Sequence, residues 1–132
     1  MVSADQYVSD NPIKERKAGF KASKKSLKTI HRAIKRDDSQ TISERAEQLV
    51  SFSKIIPDLF PNDARGSFLS RAKGGIWVNF EDFTEKAAAF QQSAEAFQAE
   101  LVKDESDKQS LERKLREIAN SCDSCHDSYR RF

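Results

Sequence analysis

The chain has 132 residues with a net charge of +2, and it contains only four glycines, three prolines and two cysteines. This length buries a core without disulfide staples, and the shortage of turn formers favours a single all-α domain, residues 1–132. No segment approaches the roughly 20 apolar residues of a transmembrane helix, so we expect no membrane insertion.

The first predicted helix, α1, spans about 11–36 and is strongly basic. Asn11 serves as its cap, and Pro12 takes the first helical position. Its ten Lys or Arg and single acid, Glu15, contrast with a net acidic remainder of the chain. Such a run is typical of a solvated face, with docking to an acidic partner protein as the alternative; we expect no nucleic-acid partner. The apolar stripe opposite consists of Ile13, Phe20, Leu27, Ile30 and Ile34.

The second predicted helix, α2, spans about 41–56. Thr41 and Glu44 have the spacing of a capping box, and Pro57 ends the helix. Its apolar face consists of Ile42, Ala46, Leu49, either Phe52 or Ser53, and Ile56. A long connection, about 57–78, follows with two of the prolines and three of the glycines.

The last two predicted helices are α3, about 79–102, and α4, about 106–131. Asn79 is the predicted cap of α3, and Ser106 with Gln109 forms a second capping box. The apolar stripe of α3 is Phe80, Phe83, Ala87, Phe90, Ala94, Phe97 and Leu101. That of α4 is Leu111, Leu115, Ile118, Ala119, Cys122, Cys125 and Tyr129. Four amphipathic helices, with no strand pattern, predict an antiparallel four-helix bundle with a long connection between α2 and α3.

The sequence CDSCH near the end of α4 holds both cysteines of the chain. Cys122 and Cys125 share one side of the helix at i, i+3, and His126 lies beside them. Covalent attachment of haem c uses this arrangement, with two thioethers to the vinyl groups and the histidine as an iron ligand. We therefore predict one haem c on Cys122 and Cys125, with His126 as the metal ligand.

Three other interpretations of the two cysteines are less favourable. A structural zinc site needs four ligands, and the only further candidate is His31. A thioredoxin-like pair follows a strand and opens a helix, whereas this pair ends one. A disulfide within one helical turn is geometrically unattractive.

Together these segments resemble the cytochrome c′ and cytochrome c-556 family of single-haem four-helix bundles. The resemblance is carried by "IKERKAGF" in α1, by "LFP" and "GGIWVNFEDFTEKAAAF" in the middle, and by "CDSCHDSYRRF" at the end. It implies that Arg16 matches the family's arginine and that Phe20, four residues on, lies at the distal side of the haem. It also implies that Arg130 lies near the proximal histidine and that homodimers form through α1 and α2.

The sixth iron ligand separates the two branches of the family, methionine in c-556-like members and an apolar residue in c′-like members. Here the position matches Phe20, and the only methionine is Met1. His31 is eleven residues past Phe20, about 16 Å along the helix, and we expect it at the surface. We also expect the lysines of α1 to reach water rather than iron. Arg16 is a candidate partner for a haem propionate.

These features predict a five-coordinate, high-spin haem protein that binds NO and CO and buffers nitric oxide. The alternative is a one-electron carrier between redox partner proteins, docked through basic α1. We expect no enzymatic activity, since the inferred distal position offers no group for cleaving an O–O bond. Thioether attachment implies maturation outside the cytoplasm, so we expect a periplasmic protein whose export leader has been removed. MVSADQYVSD itself lacks the apolar centre of a leader.

Overall fold

The residues that the structure describes form an antiparallel bundle of four α-helices, as predicted. The structure, a computed structural model, describes residues 11–59, 80–103 and 107–129. Helix α1 is Pro12–Lys35, α2 is Ser39–Ile55, α3 is Phe80–Leu101 and α4 is Lys108–Tyr129. A short 3-10 helix, Ile56–Leu59, continues α2, and no residue within the described ranges is in a strand.

The start of α1 agrees with the prediction, whereas α2 begins earlier than predicted. The Asn11 side chain accepts a hydrogen bond from the Lys14 amide at 3.1 Å, and Pro12 takes the first helical position. The predicted capping box at Thr41 is wrong, because Asp38 caps α2 instead. Its carboxylate accepts from the Thr41 amide at 3.2 Å and from the Thr41 hydroxyl at 2.8 Å.

The other predicted boundaries differ in detail. Helix α4 begins at Lys108, two residues after the predicted start, and the Asp107 carboxylate accepts from the Ser110 amide at 2.7 Å. Pro57 is the second residue of the 3-10 helix, two residues beyond the last residue of α2. The rest of the long connection, the Asn79 cap and Ser106 lie outside the described residues.

The core forms where the four helices face one another, with α1 on α2, α2 on α3, α3 on α4 and α4 on α1. Its residues come mainly from the predicted stripes. The largest fully buried apolar side chains are Ile30, Ile34, Leu49, Leu59, Phe83, Phe97 and Ile118. Burial of each such side chain contributes about 1.5–3 kcal/mol, so the stripes supply the main driving force for folding.

Contacts between the end of α1 and the start of α4 fix how the two helices align along the bundle axis, and the position of a residue along this axis is called its height. The Lys108 ammonium donates to the Lys35 carbonyl at 3.2 Å and pairs with the Asp37 carboxylate at 3.3 Å. The end of α1 therefore meets the start of α4. At 1.5 Å per residue, Phe20 and Cys122 both lie about 21 Å from this end, at nearly the same height.

Candidate haem site

Cys122 and Cys125 lie on the inward side of α4, near its C-terminal end. Both thiols are free and partly buried, and both pack against the hydrophobic core. The intervening Asp123 and Ser124 are exposed. The i, i+3 spacing therefore turns both sulfur atoms toward the interior, as the stripe of α4 predicts.

Burial also controls the ionisation of the two thiols. Desolvation raises the pKa of Cys122 to about 12, with a smaller contribution from the Asp123 carboxylate. Desolvation likewise raises the pKa of Cys125 to about 11, opposed by the Lys86 ammonium. Both thiols are therefore protonated near neutral pH. A thioredoxin-like redox pair needs a lowered thiol pKa, so the surroundings of this pair disfavour that interpretation.

The other two predicted residues of this end of the chain are described less fully. The backbone of His126 continues α4 directly after Cys125. Its side chain lies outside the described part of the structure, as does all of Arg130. Their predicted roles, as iron ligand and as proximal cation, stay predictions.

Arg16 is buried inside the bundle rather than extended on the basic face of α1. Only 3% of the residue is exposed. Its Nη1 donates to the Leu59 carbonyl at 3.0 Å, which joins α1 to the 3-10 helix. Burial lowers the pKa of Arg16 from its ordinary value, although a guanidinium stays charged at any physiological pH. At 1.5 Å per residue, Arg16 lies close to the height of His126 in the bundle.

Phe20 lies on the inner side of α1 at the height of Cys122. It is partly buried against the core, and its ring meets that of Phe52 from α2 edge to face, with centroids 5.2 Å apart. The sequence left open whether Phe52 or Ser53 faces inward. Ser53 is the more deeply buried, and Phe52 is partly buried against Phe20. The sequence analysis did not predict the contact between Phe20 and Phe52. Gly19 could have indicated it, since a glycine inside a helix often marks a place where another side chain comes close to the backbone.

The other candidate ligands that the structure describes lie on the surface of the bundle. His31 is exposed, as predicted, about 16 Å along α1 from Phe20. Lys17, Lys21 and Lys24 are also exposed. Met1 lies outside the described residues. Within the described ranges, no cluster of three or more His, Cys, Asp or Glu side chains is placed to hold a metal ion.

These residues fit a covalently bound haem. Two partly buried thiols one helical turn apart face the core at the height of an aromatic ring on the facing helix. An apolar macrocycle needs apolar and aromatic walls, and its two carboxylates would need a cation such as the buried Arg16 guanidinium. A four-helix bundle with the C-x-x-C-H sequence on its last helix defines one class of single-haem cytochromes of the c type.

Comparison with known proteins agrees with that class. A family model described as cytochrome c′ matches residues 11–130. The chain therefore belongs to the cytochrome c′ family, whose members are haem c proteins. Cytochrome c′ of Rhodospirillum rubrum is 26% identical over 121 residues, covering 89% of this chain and 80% of the relative. Cytochrome c-556 of Agrobacterium tumefaciens strain B2A is 30% identical over 105 residues, covering 80% and 82%.

A solved structure shows the same fold. Cytochrome c′ from Shewanella frigidimarina superimposes with a TM-score of 0.80 at 26% identity, covering 92% of this chain and 94% of that one. Among the helices described here, none is both long and apolar enough to cross a membrane. The predicted family and fold class are thus confirmed.

Proposed function

We propose that this chain carries one haem c on Cys122 and Cys125, with His126 as iron ligand, and binds NO or CO at five-coordinate, high-spin iron. When bound, a c-type haem would supply an iron that changes oxidation state by one electron and takes small gases at a free coordination position. The observation that carries the proposal is the aromatic ring of Phe20 at the height of Cys122, where methionine would mark a six-coordinate carrier.

Phe20 determines what can occupy the open side. Its hydrocarbon ring, partly buried and packed on Phe52, offers no hydrogen bond to a bound ligand. Such a ring excludes water and favours small neutral gases such as NO and CO over dioxygen, which benefits from a hydrogen-bond donor. Relatives named cytochrome c′ and cytochrome c-556 both match this chain. Family membership alone therefore leaves the ligand set open, and Phe20 supports the c′-like state.

Two arginines support the site in this proposal. Arg16 is desolvated close to the height of His126, and its planar guanidinium is suited to pairing with a haem propionate. Arg130 follows His126 by four residues in the sequence, which is the spacing of two residues on one face of a helix. Arg130 can also interact favourably with the C-terminal end of the helix dipole.

The test is the absorption spectrum of the reduced protein with and without CO. We expect a high-spin spectrum that changes when CO is added, because the ring of Phe20, which cannot ligate iron, stands where a methionine ligand would be. Phe20→Met should convert the protein toward a low-spin, six-coordinate state with a higher reduction potential, since thioether ligation raises the potential. A low-spin reduced spectrum of the unmodified protein that does not respond to CO would reject gas binding.

A second candidate function is one-electron transfer between partner proteins. The observation in its favour is the exposed basic face of α1, formed by Lys14, Lys17, Lys21, Lys24, Lys25, Lys28, Arg32 and Lys35. This face lies on the outside of the helix that carries Phe20, so an acidic redox partner docked there would be about one helix diameter from the haem. The CO experiment separates the two candidates, because electron transfer alone needs no open coordination position.

The remaining proposals concern enzymatic activity, cellular location and oligomeric state. We propose that the protein is not an enzyme, since the two rings that meet on the distal side, Phe20 and Phe52, carry no proton donor. We propose a periplasmic location, because thioether attachment takes place outside the cytoplasm. Family membership supports a homodimer through α1 and α2.

A further inference from the structure

The ring of Phe52 packs directly on the backbone of α1. A Cβ built on Gly19 would overlap this ring, so Phe52 occupies the space that any other side chain at position 19 would take. Glycine is disfavoured inside a helix, and the close approach of the ring gives this position a packing reason. The Phe52 ring therefore packs against Gly19, the residue that precedes Phe20.

Phe52 also contacts the ring of Phe20 itself. The two centroids are 5.2 Å apart and the planes are perpendicular. In this geometry the positive edge of one ring meets the negative face of the other, which is an attractive arrangement. Both rings are partly buried against the core, so each restricts the rotation of the other.

The segment of α2 around Phe52 is held by one hydrogen bond within the helix and by another, beyond its end, to α1. Ser53 is buried, and its hydroxyl donates to the Val50 carbonyl at 2.6 Å. Beyond it, the hydrogen bond from Arg16 to the Leu59 carbonyl joins the 3-10 helix to α1. Phe52 thus lies on a part of α2 that this hydrogen bond joins to α1, four residues before Phe20.

We propose that Phe52 is a positioning residue that holds the Phe20 ring over the open side of the haem, so that α2 sets the rate at which small gases enter. This inference rests on the proposed function. A ligand reaches the iron only when Phe20 rotates away, and rotation breaks the edge-to-face contact with Phe52. The barrier to gas entry therefore includes the interaction between the two rings.

The test is CO rebinding after flash photolysis of the reduced, haem-loaded protein and its Phe52→Leu variant. We expect the association rate constant to rise about two- to tenfold, the range that the free energy of one aromatic pair produces. Phe52→Tyr keeps the ring and should stay near the original rate. The matched control is Phe97→Leu, which changes a fully buried phenylalanine near the C-terminal end of α3. The CO association rate constant of this control should not change.

A second arm separates Phe52 from general loosening of the bundle. In a Phe20→Ala background the ring to be positioned is absent, so Phe52→Leu should leave the CO association rate unchanged. The proposal is overturned if Phe52→Leu leaves the rate of the original protein unchanged, if Phe97→Leu raises it equally, or if the effect of Phe52→Leu persists without Phe20. Should Phe52→Leu fail to fold, Phe52→Ile serves the same comparison.

A third arm measures the ring pair without any gas. Urea unfolding of the holoprotein, its two single variants Phe20→Ala and Phe52→Leu, and the double variant forms a double-mutant cycle. We expect the loss in the double variant to be smaller than the sum of the two single losses, and additive losses would contradict coupling. An unmodified protein that takes up no CO would reject the proposed function, whereas CO uptake indifferent to Phe52 would reject only its role.

Discussion

At the scale of single residues, Arg16 shows how a basic side chain on an amphipathic helix becomes part of the interior. Arg16 follows Ile13 by three residues and precedes Phe20 by four, a spacing that puts it on the side of the apolar stripe, although its burial was not predicted. Its partner was not predicted either, because the hydrogen bond to the Leu59 carbonyl spans 43 positions. Local periodicity shows which face a residue lies on, whereas a contact over such a separation depends on how the helices pack.

The contact predicts the effect of removing the guanidinium. Arg16→Met keeps much of the side-chain volume but leaves the Leu59 carbonyl without this donor, and we expect a loss of about 1–3 kcal/mol in the free energy of unfolding. Urea unfolding of the holoprotein measures it. Arg32→Met is the control, since Arg32 is exposed on the same helix and its loss should stay within about 0.5 kcal/mol. Equal losses in both variants would contradict a structural role for the buried hydrogen bond.

At the scale of helices, the existence of the four helices and their apolar faces could be predicted from the sequence, but the starts of α2 and α4 could not. Thr41 and Glu44 have the spacing of a capping box, yet Asp38 caps α2 instead. Its carboxylate accepts from both the amide and the hydroxyl of Thr41, and it also pairs with Arg36 at 3.2 Å. A carboxylate accepts several hydrogen bonds at once, which a threonine hydroxyl cannot match, so the helix extends to the residue after Asp38.

The cap predicts a pH dependence of stability. Hydrogen bonds from Thr41 hold the pKa of Asp38 below its ordinary value, so its contribution is present above the unfolded pKa and is lost as the pH falls through the folded one. Asp38→Ala should therefore lower the urea midpoint at pH 6, and the difference should shrink below about pH 4. Asp38→Asn keeps a capping oxygen without the charge and should lose less at pH 6. A difference for Asp38→Ala that grows toward low pH would contradict this assignment.

At the scale of the whole molecule, charge is divided between one helix and the rest. Residues 11–36 carry ten basic side chains and one acidic one, a net +9, so the remainder of a chain with a net +2 carries −7. Most of the α1 charges lie on its exposed face. A two-fold interface through α1 and α2 brings equal charges together, whereas an acidic partner protein would meet an attractive surface.

This division predicts how salt affects assembly. Salt screens the repulsion between two α1 faces, so homodimerisation should strengthen as sodium chloride rises from about 0.02 M to about 0.5 M. Sedimentation velocity at the two concentrations measures the change. Replacing Lys21 and Lys24 with glutamine should strengthen the dimer at low salt, with Lys54→Gln on α2 as a single-charge comparison. A dimer that weakens with salt would indicate complementary charges and a different interface.

The sequence by itself determined the all-α class, the four helices and the inward side of α4 that carries Cys122 and Cys125, because helical periodicity is a local property. The same periodicity placed Phe20 on the inner side of α1. Only the tertiary structure brought Phe20 to the height of the cysteines, set Phe52 against it over Gly19, and buried Arg16 on the Leu59 carbonyl. Those contacts join different helices, and they depend on the register in which the helices pack, which no single segment encodes.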